Sequence, residues 1–219
     1  MDIGVIGAGN VGGNLVRRLT KAGHHVSVAN SRGPDTLKDL VAETGADAVD
    51  VMDVPQGADL LIISIPEKNV PDLPPRLLDE LPADSPVVDT GNYYPRHRDG
   101  RIDDIESGMT ESRWVEKQIH HPVIKAFNGV LAPAIIEDAR PAGDPRRLGV
   151  AVAGDDIGAK QKVMDLIDEL GFDPVDAGDI DQSWRQQPGT PWYCKGFNAE
   201  CVRKALEESS PERPAEFHA

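Results

Sequence analysis

Two short runs of residues carry types and spacings that could do chemistry. The first is Gly7-Ala8-Gly9-Asn10-Val11-Gly12. In such a run the first glycine permits a tight turn, the second lets backbone approach a pyrophosphate, and the third lets a helix lie close to a strand. A helix starting there offers free N–H groups and the positive end of its dipole to phosphates. The second run is Asn30-Ser31-Arg32, about twenty residues further on. No Asp or Glu stands where a carboxylate would take the two ribose hydroxyls of NAD. A guanidinium pairs bidentately with a phosphate and a hydroxyl donates to one. Ser31 and Arg32 therefore read as a clamp for a 2′-phosphate, with NADP(H) as the ligand. An ordinary exposed loop arginine is the other reading of Arg32.

These residues need a frame, and the flanking sequence supplies it. Ile3-Gly4-Val5-Ile6 is an apolar strand, and Leu15, Val16 and Leu19 recur at helical spacing up to Gly23. Residues 25–30 then form a second strand, the strand–turn–helix–strand context in which the glycine run has physical meaning. The alternation continues with a helix over 35–44, strands over 46–51 and 59–65, a helix over 73–81 and a strand over 86–89. A helix holding Trp114 and Val115 follows, then a strand over 122–127, a helix over 130–138 and a strand over 148–153. A helix over 156–170, closed by Gly171, precedes a last strand over 173–176. This order predicts an α/β, doubly wound, mostly parallel sheet of the Rossmann type, with helices on both faces. The proline- and glycine-rich run 187–191 breaks the pattern before a short C-terminal helical extension over 193–208, and the polar tail 209–219 is expected to fray. The expected division is a nucleotide-binding domain over 1–180, and a loop and helix over 181–219 that pack on it or on a second subunit.

Composition narrows the class. Of the 219 residues, 39% are hydrophobic and 27% charged, enough for a sizeable core. With 23 basic against 37 acidic residues the formal charge is −14, which argues against nucleic-acid or anionic-membrane partners. The longest strongly apolar stretch, 60–66, is far short of the roughly 20 residues of a membrane span. No basic segment precedes an apolar one at the start, so no secretory signal is read. Cys194 and Cys201, if they share a helix, sit roughly 10 Å apart along it, too far for a disulfide. A reduced, cytoplasmic protein is the expectation. No metal site is expected, because two cysteines cannot complete an all-thiolate zinc site and the adjacent His120 and His121 diverge on either a helix or a strand.

With Gly7 to Gly12, Asn30-Ser31-Arg32 and Ser64-Ile65-Pro66 in place, the chain resembles the NADP-dependent oxidoreductases of coenzyme F-420. These are small Rossmann enzymes that move hydride between NADP(H) and a deazaflavin. It is also similar to the cytosolic reductase domain of the six-transmembrane metalloreductases. The resemblance spans residues 1–180 and is strongest at those three segments, at Ala153-Gly154-Asp155-Asp156, and from Gly171-Phe172-Asp173 to Asp176-Ala177-Gly178. It implies that Ala8, Gly9, Asn10 and Val11 form the pyrophosphate turn, together with Gly7 and Gly12, and that Ser31 and Arg32 contact the 2′-phosphate. It further implies that Ser64, Ile65, Pro66, Thr90, Gly91 and Ala126 lie beside the nicotinamide end. Lys125-Ala126-Phe127-Asn128 replaces a histidine-containing stretch of the F-420 enzymes and is closer to the metalloreductase pattern. The segment 181–193 matches neither.

Hydride transfer between planar cofactors asks for close approach and a dry pocket rather than an acid–base triad, and no catalytic residue is assigned. Asn92, Tyr93 and Tyr94 follow one strand end and Asn128 the next, and all four are candidate contacts for the acceptor. A packed turn for Tyr93 and a helix N-cap for Asn128 are equal alternatives. The aromatic loop from Trp184 to Tyr193 suits either ring stacking or a core plug or subunit interface, the second being preferred. The expected acceptor is coenzyme F-420, or FMN or FAD as co-substrate. The rivals are an NADP(H)-sensing module and a reductase of a small imine or carbonyl, for which Tyr93 or Lys125 would donate the proton. A homodimer is expected.

Overall fold

Apolar strands pair edge to edge in the computed structural model, which describes residues 1–219. Six of them, β1 (Asp2–Ile6), β2 (His25–Ala29), β3 (Asp47–Ala48), β4 (Leu60–Ile63), β5 (Val87–Asp89) and β6 (Val123–Lys125), form one sheet. Its order is β3-β2-β1-β4-β5-β6, and every pairing is parallel. The strand order reverses between β1 and β4, the switch point where open α/β sheets leave a crevice beyond the strands' carboxyl ends. β7 (Gly149–Val152) and β8 (Asp173–Asp176) make a separate parallel pair. One antiparallel bridge, Lys125 to Ala153, joins it to the larger sheet.

Side chains of a strand alternate between its two faces, and the cores divide accordingly. Ile3, Val5, Leu60 and Ile62 pack on one face with Leu15, Val16 and Leu19 of α1 (Asn10–Lys21). Ile6, Leu61 and Ile63 pack on the other with Trp114 and Val115. The remaining helices are α2 (Lys38–Thr44), α3 (Asp103–Glu106), α4 (Glu111–Ile119), α5 (Ala134–Glu137), α6 (Ile157–Glu169) and α7 (Ala199–Glu207). Val202, Ala205 and Leu206 of α7 share a smaller core with Ala151, Val175 and Trp192. No helix is long and apolar enough to cross a membrane. The doubly wound α/β architecture expected from the sequence is the one observed.

Several elements are shorter than expected, each for a local reason. Residues 73–81 form successive turns rather than a helix, because Pro74 and Pro75 lack N–H groups and disfavour helical backbone before them. The nearby helical segment is a 3-10 turn, Glu67–Asp72. Residues 35–44 split into the 3-10 turn Pro34–Leu37 and α2. Pro133 confines the expected helix over 130–138 to α5. The C-terminal helix starts at Ala199 instead of 193. Cys194 and Gly196 have left-handed φ of 57° and 65°, and Asn198 caps α7 by accepting from the Cys201 N–H. Cys194 therefore lies outside the helix, and both thiols are free.

The tail does not fray. Arg213 donates to Glu111 at 2.9 Å and to Gln187 at 3.0 Å, and His218 lies 2.9 Å from Glu106.

Candidate functional site

Two clefts open beyond the carboxyl ends of the strands and share Gly9, Ser64, Ile65 and Pro66. The first, about 630 Å³, is lined by the β1–α1 turn, the β2 end at Asn30-Ser31-Arg32, and Asn69, Asp72 and Leu73. Gly7 takes φ of 105°, and a Cβ there would run into the Ser64 carbonyl. A Cβ on Gly12 would collide with the Gly7 carbonyl, so this glycine serves the close seating of α1 and lines neither cleft. Above Gly9 the space is open to 4 Å. Gly9 is the N-cap of α1 and makes no side-chain cap bond, so the helix start faces the cleft with its donors uncovered.

The second run is shaped by Asn30. Its Oδ1 accepts the Arg32 N–H at 2.9 Å and its amide donates to the Thr36 hydroxyl at 2.9 Å. That turn presents Ser31 and Arg32 to the first cleft. Arg32 has no carboxylate partner, unlike Arg17, which is paired with Glu43 at 2.7 Å.

The second cleft, about 470 Å³, is lined by Asn10, Val11, Thr90, Gly91, Asn92, Asn128 and Leu131 as well as the shared residues. Asn128 is 3% exposed. Its amide donates to Asn92 Oδ1 at 3.0 Å and to the Gln186 carbonyl at 2.6 Å, while Asn92 returns a bond to the Asn128 carbonyl at 3.0 Å. Asn128 Oδ1 is buried without a partner. Asn128 caps no helix; it follows Phe127, whose φ is 63°.

Two expected contacts do not reach either cleft. Tyr93 is fully buried in the second core. Its hydroxyl donates to Glu106 at 3.0 Å and accepts from the Ile102 N–H at 2.9 Å. The packed turn therefore prevails for Tyr93, and Tyr94 takes the place at the cleft. Ala126 is fully buried in the first core and lines neither cleft.

Around the second cleft the sequence points to Tyr94 and to the loop ending at Tyr193, but not to Arg98 or to the pairing of the two rings. Tyr94, Arg98 and Tyr193 line the cleft, and the two tyrosine hydroxyls are hydrogen-bonded to each other. Arg98 sits 5.2 Å from the Tyr94 ring centre. Trp192, 2% exposed, plugs the space over Gly129, so the aromatic loop is part core plug and part cleft wall. Beneath the cleft lies a buried polar cluster. Lys125 Nζ donates to Asp89 at 3.0 Å and to the Gly91 carbonyl at 2.6 Å, and Ser112 donates to Asp89 at 2.6 Å. That use of Lys125 goes with its lining neither cleft.

Burial alone would lower the Lys125 value, but Asp89 and Glu111 hold it above its ordinary one. Glu67 is fully buried with neither carboxyl oxygen partnered. Burial first, and then the Asp89 charge, pushes it well above the usual carboxylate range. One signal for the cluster was present in the sequence: Val-Val-Asp89 and Val-Ile-Lys125 end two apolar strands in opposite charges, and the two residues are in register.

Against known proteins, residues 2–93 match the family model described as NADP oxidoreductase coenzyme F420-dependent. Protein YjhV of Escherichia coli (strain K12) is 47% identical over 75 residues, which covers 34% of this chain and 55% of that relative's length. The hypothetical protein SMa0349 from Sinorhizobium meliloti superposes with a TM-score of 0.73 at 29% identity, over 89% of this chain and 93% of that one. A candidate F420-dependent NADP reductase from Arthrobacter sp. FB24 gives 0.68 at 24% identity over 84% and 87%. An imine reductase from Pseudomonas sp. gives 0.58 at 21% identity, covering 83% of this chain and 56% of that one. The last two likenesses show the fold. The family match is that of an NADP-dependent oxidoreductase and supports NADP(H) as the coenzyme.

Proposed function

We propose that this chain transfers hydride between NADP(H) and a deazaflavin of the coenzyme F-420 type, with a free flavin as the second choice. The observation that carries this reading is the pair of clefts meeting at Gly9, Ser64, Ile65 and Pro66. One has the size and donors of a nucleotide site, and the other is room for a second flat ring. In this reading the open N-terminus of α1 and the bare backbone at Gly9 hold the pyrophosphate. Ser31 and Arg32 take the 2′-phosphate. Asn128 Oδ1, buried and unpartnered, accepts from the nicotinamide carboxamide, which satisfies an atom otherwise costly to bury. The coenzyme supplies the hydride. Thr90, Gly91 and Pro66 line the second cleft and keep water from the reacting rings.

A second reading, reduction of an imine or carbonyl, is favoured by one observation, the hydroxyl pair of Tyr94 and Tyr193 at the cleft. A homodimer is also part of the proposal: Leu131, 53% exposed on the rim of the second cleft, is an apolar side chain that a second copy would cover.

The test mixes protein and NADPH with F-420, FMN, FAD or a cyclic imine and follows nucleotide absorbance. Turnover with F-420 or a flavin is expected. Oxidation with the imine alone moves the conclusion to the second reading. Tight NADPH binding without oxidation by any of them makes the chain a nucleotide sensor.

A further inference from the structure

The hydride reading leaves one chemical need unmet. An acceptor that gains a hydride on one atom acquires negative charge on a conjugated nitrogen or oxygen, and that atom needs a proton. Most groups lining the second cleft are poor sources. The Asn92 and Asn128 amides do not ionise, and the Arg98 guanidinium is engaged with Asp99 at 2.9 Å and with the Asn92 carbonyl.

Tyr94 and Tyr193 are different. In a direct bond between two phenols one hydroxyl donates and the other accepts, so the accepting one keeps its own proton free. Both rings line the cleft, and both are held in place. The Tyr94 N–H donates to Asp99 at 2.8 Å, and the ring lies 6.2 Å from that of Phe217. Tyr193 is anchored between Trp192 in the core and Cys194, whose N–H donates to the Gly129 carbonyl at 3.0 Å.

We propose that the Tyr94–Tyr193 hydroxyl pair is the proton donor of the second cleft, acting on an acceptor with a conjugated C=N bond. This rests on the hydride reading above. In the step, the acceptor carbon receives hydrogen with both electrons from the reduced nucleotide, which is oxidised. One tyrosine O–H bond breaks as an N–H bond forms on the acceptor, and the second hydroxyl passes its proton to the first. Water then restores the proton lost. The acceptor gains two electrons and two hydrogens, one of them from the pair. Burial raises both phenols above their ordinary value, so the pair keeps its protons through neutral pH.

The variants Tyr94→Phe and Tyr193→Phe test this with two readouts. In the ligand-free protein, alkaline absorbance titration of Tyr94→Phe is expected to show Tyr193 ionising at lower pH than in the wild type. With NADPH, and with F-420 and a pyrroline as separate acceptors, kcat is expected to fall about 100-fold in either variant. The double variant should be no slower than the slower single one, as for groups acting as a unit. Binding of NADPH alone should not change, which also reports an intact fold. The acceptor that shows the loss identifies the source of the C=N bond. Variants as fast as an active wild type would overturn the tyrosine proposal and leave the hydride reading standing. An inert wild type, with every acceptor, brings down both.

Discussion

The guanidinium of Arg32 is in no ion pair, in a chain whose formal charge is −14. Replacing Arg32 by Ala is therefore expected to weaken NADPH binding by about 1–3 kcal/mol, the usual worth of a hydrogen bond to a charged group. NADH binding should stay nearly unchanged. Isothermal titration with each nucleotide checks this, and equal losses for both would mean that Arg32 does not read the phosphate. Glu67 poses a different question, because burial and the Asp89 charge raise its carboxyl well above the usual range in the fold, while the unfolded chain ionises it from about the ordinary 4.5 upward. Above that pH the folded state binds the extra proton, so this residue makes stability fall as pH rises. Glu67→Gln removes that dependence. Urea unfolding across pH 4.5 to 8 should show the variant gaining on the wild type as pH increases; a constant difference would contradict it. Arg32 was legible in the sequence because the missing acid after β2 is a local fact. Glu67 was not, since its raised value comes from burial and from the Asp89 charge, which act only in the folded chain.

At the scale of elements, the parts that carry the glycine turn were readable because their signals are local and agree. β1, α1 and β2 have apolar spacing, a glycine-rich turn and a stop at Gly23, whose φ is 94°. The errors cluster where prolines interrupt apolar spacing. Leu73, Leu77 and Leu81 sit at helical intervals, yet Pro74 and Pro75 disfavour helical backbone at the residues before them, and the leucines are packed by turns instead. Strand ends were harder to use. The sequence places Asn92, Tyr93 and Tyr94 together beyond β5, but only the backbone path decides which ring enters the core. The two tyrosines point to different surroundings: Tyr93 to Glu106 and Tyr94 to Tyr193. The wall formed by Tyr193 lies 99 positions from Tyr94, a contact that no local pattern encodes.

For the whole molecule, the last residues work as a strap. Arg213 reaches the fully buried Glu111, a 2.9 Å pair with side chains 10% and 0% exposed, and lies 5.3 Å from the Tyr93 ring centre. Arg213→Ala would strand a buried carboxylate, at an expected cost of roughly 3–5 kcal/mol. Adding Glu111→Gln should recover much of it, and urea unfolding of the two variants measures the difference. No recovery would show that Arg213 acts through packing alone. Polarity made this tail read as loose, because burial by distant partners leaves no mark on composition. Lys125 has the widest reach of any residue described here. Its backbone makes both bonds of the bridge to Ala153, at 2.8 and 3.1 Å, while its ammonium neutralises Asp89. The suture between the two sheets and the electroneutrality of the cleft floor thus depend on one position. Swelling of that floor and parting of the sheets would be a single cooperative event.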